Sequence, residues 1–233
     1  MVLIAEGVFE MGSNDSEDEK PIRHIFVETF LLDETEVTVA EYRDCVTNGR
    51  CSAPGTGTYC NWDEADREHH PINCVDWKQA SLYCSAAGGR LPTEAEWEKA
   101  ARGTDARTYP WGDRPEPSCD HVVMDDYASG GLECGMESTM EVGSKTQGVS
   151  PYGAQDMAGN VWEWVADWYD DYDPRDVYDP TGPTNGKRRI LRGGSWLFGL
   201  STYFRGSYRF GISPSANNFF VGFRCARTLL AIE

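Results

Sequence analysis

The chain has 233 residues, a formal charge of −17, eight tryptophans and 40% hydrophobic residues, enough to bury one good core and too many for a disordered chain. That acidity excludes general electrostatic capture of nucleic acid, so no nucleic-acid partner is expected. No apolar run is long enough to span a membrane and no signal peptide precedes the first expected strand, which leaves a cytoplasmic location open.

In chain order, residues 2–10 alternate as a strand, a turn and a second strand entering Met11-Gly12. The acidic run from Asn14 to Lys20 reads as a solvated loop, and His24 to Leu32 as another strand. Thr38 caps a helix with Glu41 at the capping-box position, and that helix stops at Asn48-Gly49. Residues 51–72 read as loop, with His69 and His70 expected to face solvent. A second helix begins near Asp76 and ends at Gly88-Gly89. In the next segment Thr93 is a cap, Glu94 and Glu96 occupy a favourable first turn, and Trp97 and Ala101 point inward. Tyr109 to Gly112 forms an aromatic turn, and residues 113–150 show no regular element. After a dense Gly-aromatic-acidic cluster at 151–164, residues 168–187 return to loop. The expected architecture is one α+β domain over residues 1–233, with two helices, short strands and much ordered loop.

Eight cysteines and no CxxC pair disfavour a zinc ribbon or a thioredoxin-type site. Local loops such as Cys45 to Cys51 suit disulfides, which point to an oxidising compartment, extracellular or at a cell surface. Sequence alone does not fix connectivity; the expected pairs are Cys45–Cys51, Cys60–Cys74, Cys119–Cys134 and Cys84–Cys225.

The C-terminal stretch from Arg189 to Arg227 has stiff ends, with Gly193-Gly194 and Trp196 at one and Val221 and Phe223 at the other. Between them Leu197 to Phe220 mixes aromatics, small polar residues, Gly and Arg, with neither strand nor helix period. That is the composition of a binding surface. Arg205 and Arg209 offer planar donors to a ligand, or equally serve the frame.

The segments GVFEMGS, DETEVTVAEY, HPINCVDW, GGRLPTEAEWEKAARG, YPWG, DMAGNVWEW, RGGSW and GFRCAR, in this order, resemble the formylglycine-generating-enzyme (sulfatase-modifying-factor) family. The resemblance spans nearly the whole chain and implies that family's variant of the C-type lectin-like fold. The family's enzymes oxidise a substrate cysteine with two copper-holding cysteines shortly after the GGS motif. Here Phe198 and Tyr203 stand at those places, and neither side chain replaces a thiolate on a soft metal, so no copper is expected. An oxidase, or a structural or regulatory domain, is the alternative to the reading below. The resemblance also implies a structural Ca²⁺ site made by the Asp156 and Glu163 side chains with the Gly159 and Val161 carbonyls.

Cysteine-free relatives include the variable proteins of diversity-generating retroelements, in which a hypervariable ligand-binding segment lies between RGGSW and GFR. Diversification of their AAY codons cannot produce Lys, Glu, Gln, Met or Trp. Leu197 to Arg224 contains none of the five, although they make up about one residue in six of the chain. The resemblance therefore implies a non-enzymatic binding protein whose partner is an unknown protein or surface ligand. Its contact residues would be Leu197, Phe198, Leu200, Ser201, Tyr203, Phe204, Ser207, Tyr208, Phe210, Ile212, Ser215, Asn217, Asn218 and Phe219.

Overall fold

The computed structural model describes residues 1–126, 134 and 137–229. Strand β1 (Val2–Ile4) and strand β9 (Ala226–Thr228) both pair antiparallel with β4 (Phe30–Leu32), so the two ends of the described chain meet in one sheet. A separate hairpin joins β2 (Gly7–Met11) to β3 (Arg23–Val27). The stretch expected as one strand over 24–32 is therefore two, broken at Glu28-Thr29 and shared between sheets.

The sheet that carries the C-terminal stretch has the order β7-β6-β5-β8. Its longest member is β5 (Trp162–Trp168), flanked by antiparallel β6 (Arg189–Arg192) and parallel β8 (Val221–Gly222); β7 (Phe210–Ile212) pairs with β6. Five of the seven β5 residues are buried, including four in succession, so the strand lacks the alternation that marks a half-exposed strand.

The described residues form three α-helices rather than the two expected: α1 (Val39–Thr47), α2 (Trp77–Ala86) and α3 (Glu94–Arg102). Each opens on a complete capping box, at Thr38 with Glu41, Asp76 with Gln79 and Thr93 with Glu96. Such boxes satisfy two of the orphan N–H groups at a helix start. Every residue of α3 is buried in spite of its five charged side chains. Burial at that density requires partners, and they are present. Lys99 donates to the carbonyls of Ala5, Gly7 and Val27, while Glu98 accepts from Arg102 at 2.6 Å and from Arg192 at 2.6 Å.

Two apolar clusters flank this helix. One gathers Phe9, Ile25, Phe30 and Trp97; the other gathers Tyr42, Trp164, Leu191 and Phe223 around α1 and α2. All four expected disulfides form, which consumes all eight cysteines and fits an oxidising compartment. His69 is exposed as expected, but His70 is buried. It contacts Thr139 and Arg67, and burial followed by the Arg67 charge lowers its pKa to about 4. No helix of the described residues is long and apolar enough to cross a membrane.

Candidate functional site: an aromatic face on a buried ionic frame

The C-terminal segment is fixed from below by arginines. Arg192, at the end of β6, is fully buried and donates to Glu98, to Glu94, and to the carbonyls of Gly206 (2.6 Å) and Ser207 (3.0 Å). One guanidinium therefore satisfies two carboxylates and two backbone acceptors in the middle of the segment. Arg205 forms a two-pronged pair with Glu19 at 2.6 and 2.7 Å, and Arg209 does the same with Glu94 at 2.6 and 2.9 Å. Both arginines, read from sequence as open between ligand contact and frame, belong to the frame. Charge-assisted forks of this kind hold a loop more firmly than neutral bonds.

Above the arginines the chain turns sharply. Gly193 and Gly194 have φ of 97° and 78°, and a Cβ on Gly194 would lie 2.8 Å from the Phe204 ring. Glycine is needed there for both reasons. Residues 201–204 then make a 3-10 turn, and 213–220 are stitched to the loop ahead of α2. Cys74 N–H donates to the Asn218 carbonyl, and the Asn73 side-chain amide donates to the carbonyls of both Tyr59 and Phe219.

The expected contact residues divide accordingly. Leu200, Ser201, Phe210, Ser215 and Asn217 are exposed; Leu197, Phe198, Tyr203, Tyr208, Ile212, Asn218 and Phe219 are half-buried. Phe204 and Ser207 do not reach the surface. Phe204 is buried under Gly194, and the Ser207 hydroxyl and carbonyl meet Arg205 and Arg192. Those two leave the contact set because the turn needs them inside.

The structure brings most of the aromatics together. Phe198, Tyr203, Tyr208 and Phe210 surround buried Trp162, each with its ring centroid 5.7–6.3 Å away. These are ordinary tilted and edge-on separations for aromatic packing. Trp196 carries Phe219 on one side and Tyr59 on another. Tyr59, from the loop ahead of α2, is 49% exposed and extends the face beyond the C-terminal segment. Nothing periodic in residues 51–72 marks it, so sequence reading passes over it. Cavities of about 280, 430 and 580 Å³ open beside the 170–183 loop, beside Asp33 to Val37, and between Trp77 and Arg90. Two of about 330 and 610 Å³ open at the rim of the face, beside Tyr59 and Asn217. None of the five is lined by Phe198, Tyr203, Tyr208 or Phe210. The aromatic surface is a platform rather than a pocket.

The two positions where the resemblance places copper-holding cysteines are Phe198 and Tyr203, edge to face at 5.1 Å. Every thiol of the chain is tied up in a disulfide, so no thiolate stands near them.

The turn implied to hold Ca²⁺ is tightly curled, with positive φ at Asp156, Gly159 and Asn160. Among the described residues no turn or loop hydrogen bond is accepted by the Gly159 or Val161 carbonyl, so both suit the role of oxygen donor. Asp156 accepts from the Gly143 N–H, and its carboxyl contacts that of Glu36, which is fully buried. Burial first, and then the neighbouring Asp156 charge, raises the Glu36 pKa well above the usual carboxylate range; burial also raises that of Asp156. Glu163, by contrast, is fully engaged: Arg224 binds both of its oxygens at 2.8 Å and Trp97 Nε1 donates to one of them at 2.8 Å. Among the described residues no group of three His, Cys, Asp or Glu side chains is arranged to hold a metal by itself. Oxygen donors remain available, so the turn suits a hard cation that takes carbonyls as well as carboxylates.

A fold built on buried ionic pairs, with a C-terminal segment framed by RGGSW and GFR, defines one class of protein. Residues 1–229 match the sulfatase-modifying factor enzyme 1-like domain, and the chain belongs to that family. The formylglycine-generating enzyme of Mus musculus is 31% identical over 97% of this chain and 74% of its own length. The serine/threonine-protein kinase pkn1 of Chlamydia caviae is 36% identical over 97% of this chain, but over only 38% of its own length. Among solved structures, Treponema denticola variable protein 1 superposes with a TM-score of 0.77 at 25% identity, covering 97% of this chain and 94% of that one.

Proposed function

We propose that this chain is a non-enzymatic binding protein that displays residues 197–220 as a hypervariable contact face, in the manner of diversity-generating-retroelement variable proteins. The observation that carries this reading is the separation of roles within the segment. Arg205, Arg209, Phe204 and Ser207 hold it from beneath, while Leu200, Tyr203, Tyr208, Phe210 and Phe219 form an aromatic platform above. A frame fixed by buried ion pairs lets the outer side chains change without unfolding the loop. Stiff aromatics also supply contact area at low entropic cost. The near full-length likeness to a Treponema variable protein supports the same reading. The flatness of the platform favours a protein or another extended surface as partner over a small molecule.

The decisive comparison is with other copies of this gene in the same genome or in close relatives. Substitutions should fall on Leu197, Phe198, Leu200, Ser201, Tyr203, Tyr208, Phe210, Ile212, Ser215, Asn217, Asn218 and Phe219. Arg192, Phe204, Arg205, Arg209 and Arg224 should stay fixed. Changes spread evenly over the chain would sink the proposal. Exposed Leu200→Ala should shift stability in a urea titration by no more than about 0.5 kcal/mol. A loss of several kcal/mol would show that the residue supports the fold rather than the face.

The second reading is an oxidase like the formylglycine-generating relatives, and the whole-chain similarity favours it. It requires copper uptake and turnover of a cysteine-containing peptide by purified protein, and either result would replace the binding proposal. In both readings the 156–163 turn serves as a structural Ca²⁺ site that stiffens the base of β5.

A further inference from the structure

We propose that Glu36 supplies the second carboxylate of the Ca²⁺ site at the 156–161 turn, beside Asp156, while Glu163 serves Arg224 instead. This rests on the reading of that turn as a cation site, and it changes which side chains make it. Glu36 lies far away in sequence, on the segment leading to α1, and is 1% exposed. Its Oε1 atom has no hydrogen-bond partner, and its Oε2 receives only a 3.5 Å contact from the Asn160 side chain. A buried carboxylate oxygen without a donor costs free energy, and it is rare in a native interior. The Asp156 carboxyl lies against it, and two such carboxyls in contact need either a shared proton or a cation between them.

The local charge count points to a divalent ion. Arg224 is the cation that acts on Glu36, Asp156 and Glu163, so a single positive charge faces three buried carboxyl groups. A divalent ion would supply the two further positive charges needed for all three to ionise there. Arg224 cannot turn to relieve the other two, because its other N–H groups already donate to the carbonyls of Asp33, Glu34 and Gln155. Calcium is favoured over magnesium by the donor set, since carbonyls of a curled loop mixed with carboxylates suit its loose coordination geometry. Glu163 is the poorer ligand. To reach an ion it would have to share oxygens that already accept three charge-assisted or indole hydrogen bonds.

The test uses the full chain stripped with a chelator and titrated with Ca²⁺ alone, followed by calorimetry and by thermal melting. Wild type should bind and gain melting temperature, because an ion that binds only the native state stabilises it. Glu36→Gln should weaken binding by more than about tenfold. The same variant in chelator should melt no lower than wild type, since an amide removes the carboxylate repulsion and can donate to Asp156. That combination separates a lost ligand from a damaged fold. Glu36→Asp, which keeps the charge and withdraws the oxygen, should also bind more weakly than wild type. If Glu36→Gln and Glu36→Asp bind Ca²⁺ as tightly as wild type, Glu36 is not a ligand and the proposal is overturned, although the turn remains a cation site. If wild type itself shows neither heat nor a melting shift, the cation reading of the turn falls, and the proposal with it.

Discussion

Replacing Arg192 with Ala is expected to destabilise the protein by about 3–5 kcal/mol in a urea titration, the usual cost of removing one partner from a buried ion pair. The side chains of Arg192 and Glu98 are fully buried, and that of Glu94 is 4% exposed. Removing the guanidinium strips Glu98 of one of its two cations and leaves the Gly206 and Ser207 carbonyls without a donor. Arg102 and Arg209 still pair with Glu98 and Glu94, so the two carboxylates are weakened rather than abandoned. Arg192→Lys should recover little, because one ammonium cannot reproduce a planar fork aimed at four acceptors. A loss below about 1 kcal/mol would place the cluster with exposed ion pairs and refute the role given to it. The consequence for binding follows from the same contacts: without those two carbonyl bonds, residues 205–208 lose their anchor, and the aromatic platform loses its level base.

The helix starts were readable because their signals are local. Thr38, Asp76 and Thr93 each sit three residues before a Glu or Gln, and each cap is complete in the structure. The α3 cap at Thr93 and the inward Trp97 and Ala101 are local signals too, and the expected count of two omits the helix they mark. What spacing does not show is that its charged side chains are buried, because their partners lie on β2, β3 and β6. Strand β5 was hidden because nearly continuous burial erases the alternation that reveals a strand. At the candidate site the frame residues Gly193, Gly194, Trp196, Phe223 and Cys225 were legible, and all are buried. The assignments of Arg205 and Arg209 were not, because Glu19 and Glu94 lie more than a hundred residues away. Tyr59 and Glu36 were missed on the same ground. Their neighbours, Trp196 and Asp156, are brought to them by the fold and not by spacing.

The other large effect belongs to the Cys84–Cys225 disulfide. The Cys84→Ala, Cys225→Ala double variant is expected to lose about 2–5 kcal/mol, as native disulfides in small secreted domains do. The bond closes 141 residues of sequence separation, against six for Cys45–Cys51. Constraint of the unfolded chain grows with the logarithm of loop length, so the long bridge should exceed the short one by about 2–3 kcal/mol. Cys84 and Cys225 are buried, at 0% and 2% exposure, whereas Cys51 of the short bridge is half-buried, so packing lost at the long bridge adds to the difference in the same direction. The position makes the loss matter beyond stability. Cys225 follows Arg224, its N–H donates to the Asp33 carboxylate, and it fastens the strand end that terminates the displayed segment. Denaturation of the double variant beside a Cys45→Ala, Cys51→Ala control, both with unchanged m-values, measures the difference directly. If the short-loop variant proved the less stable of the two, unfolded-chain entropy would not be what these bridges contribute, and native-state packing around Cys45 would have to take its place.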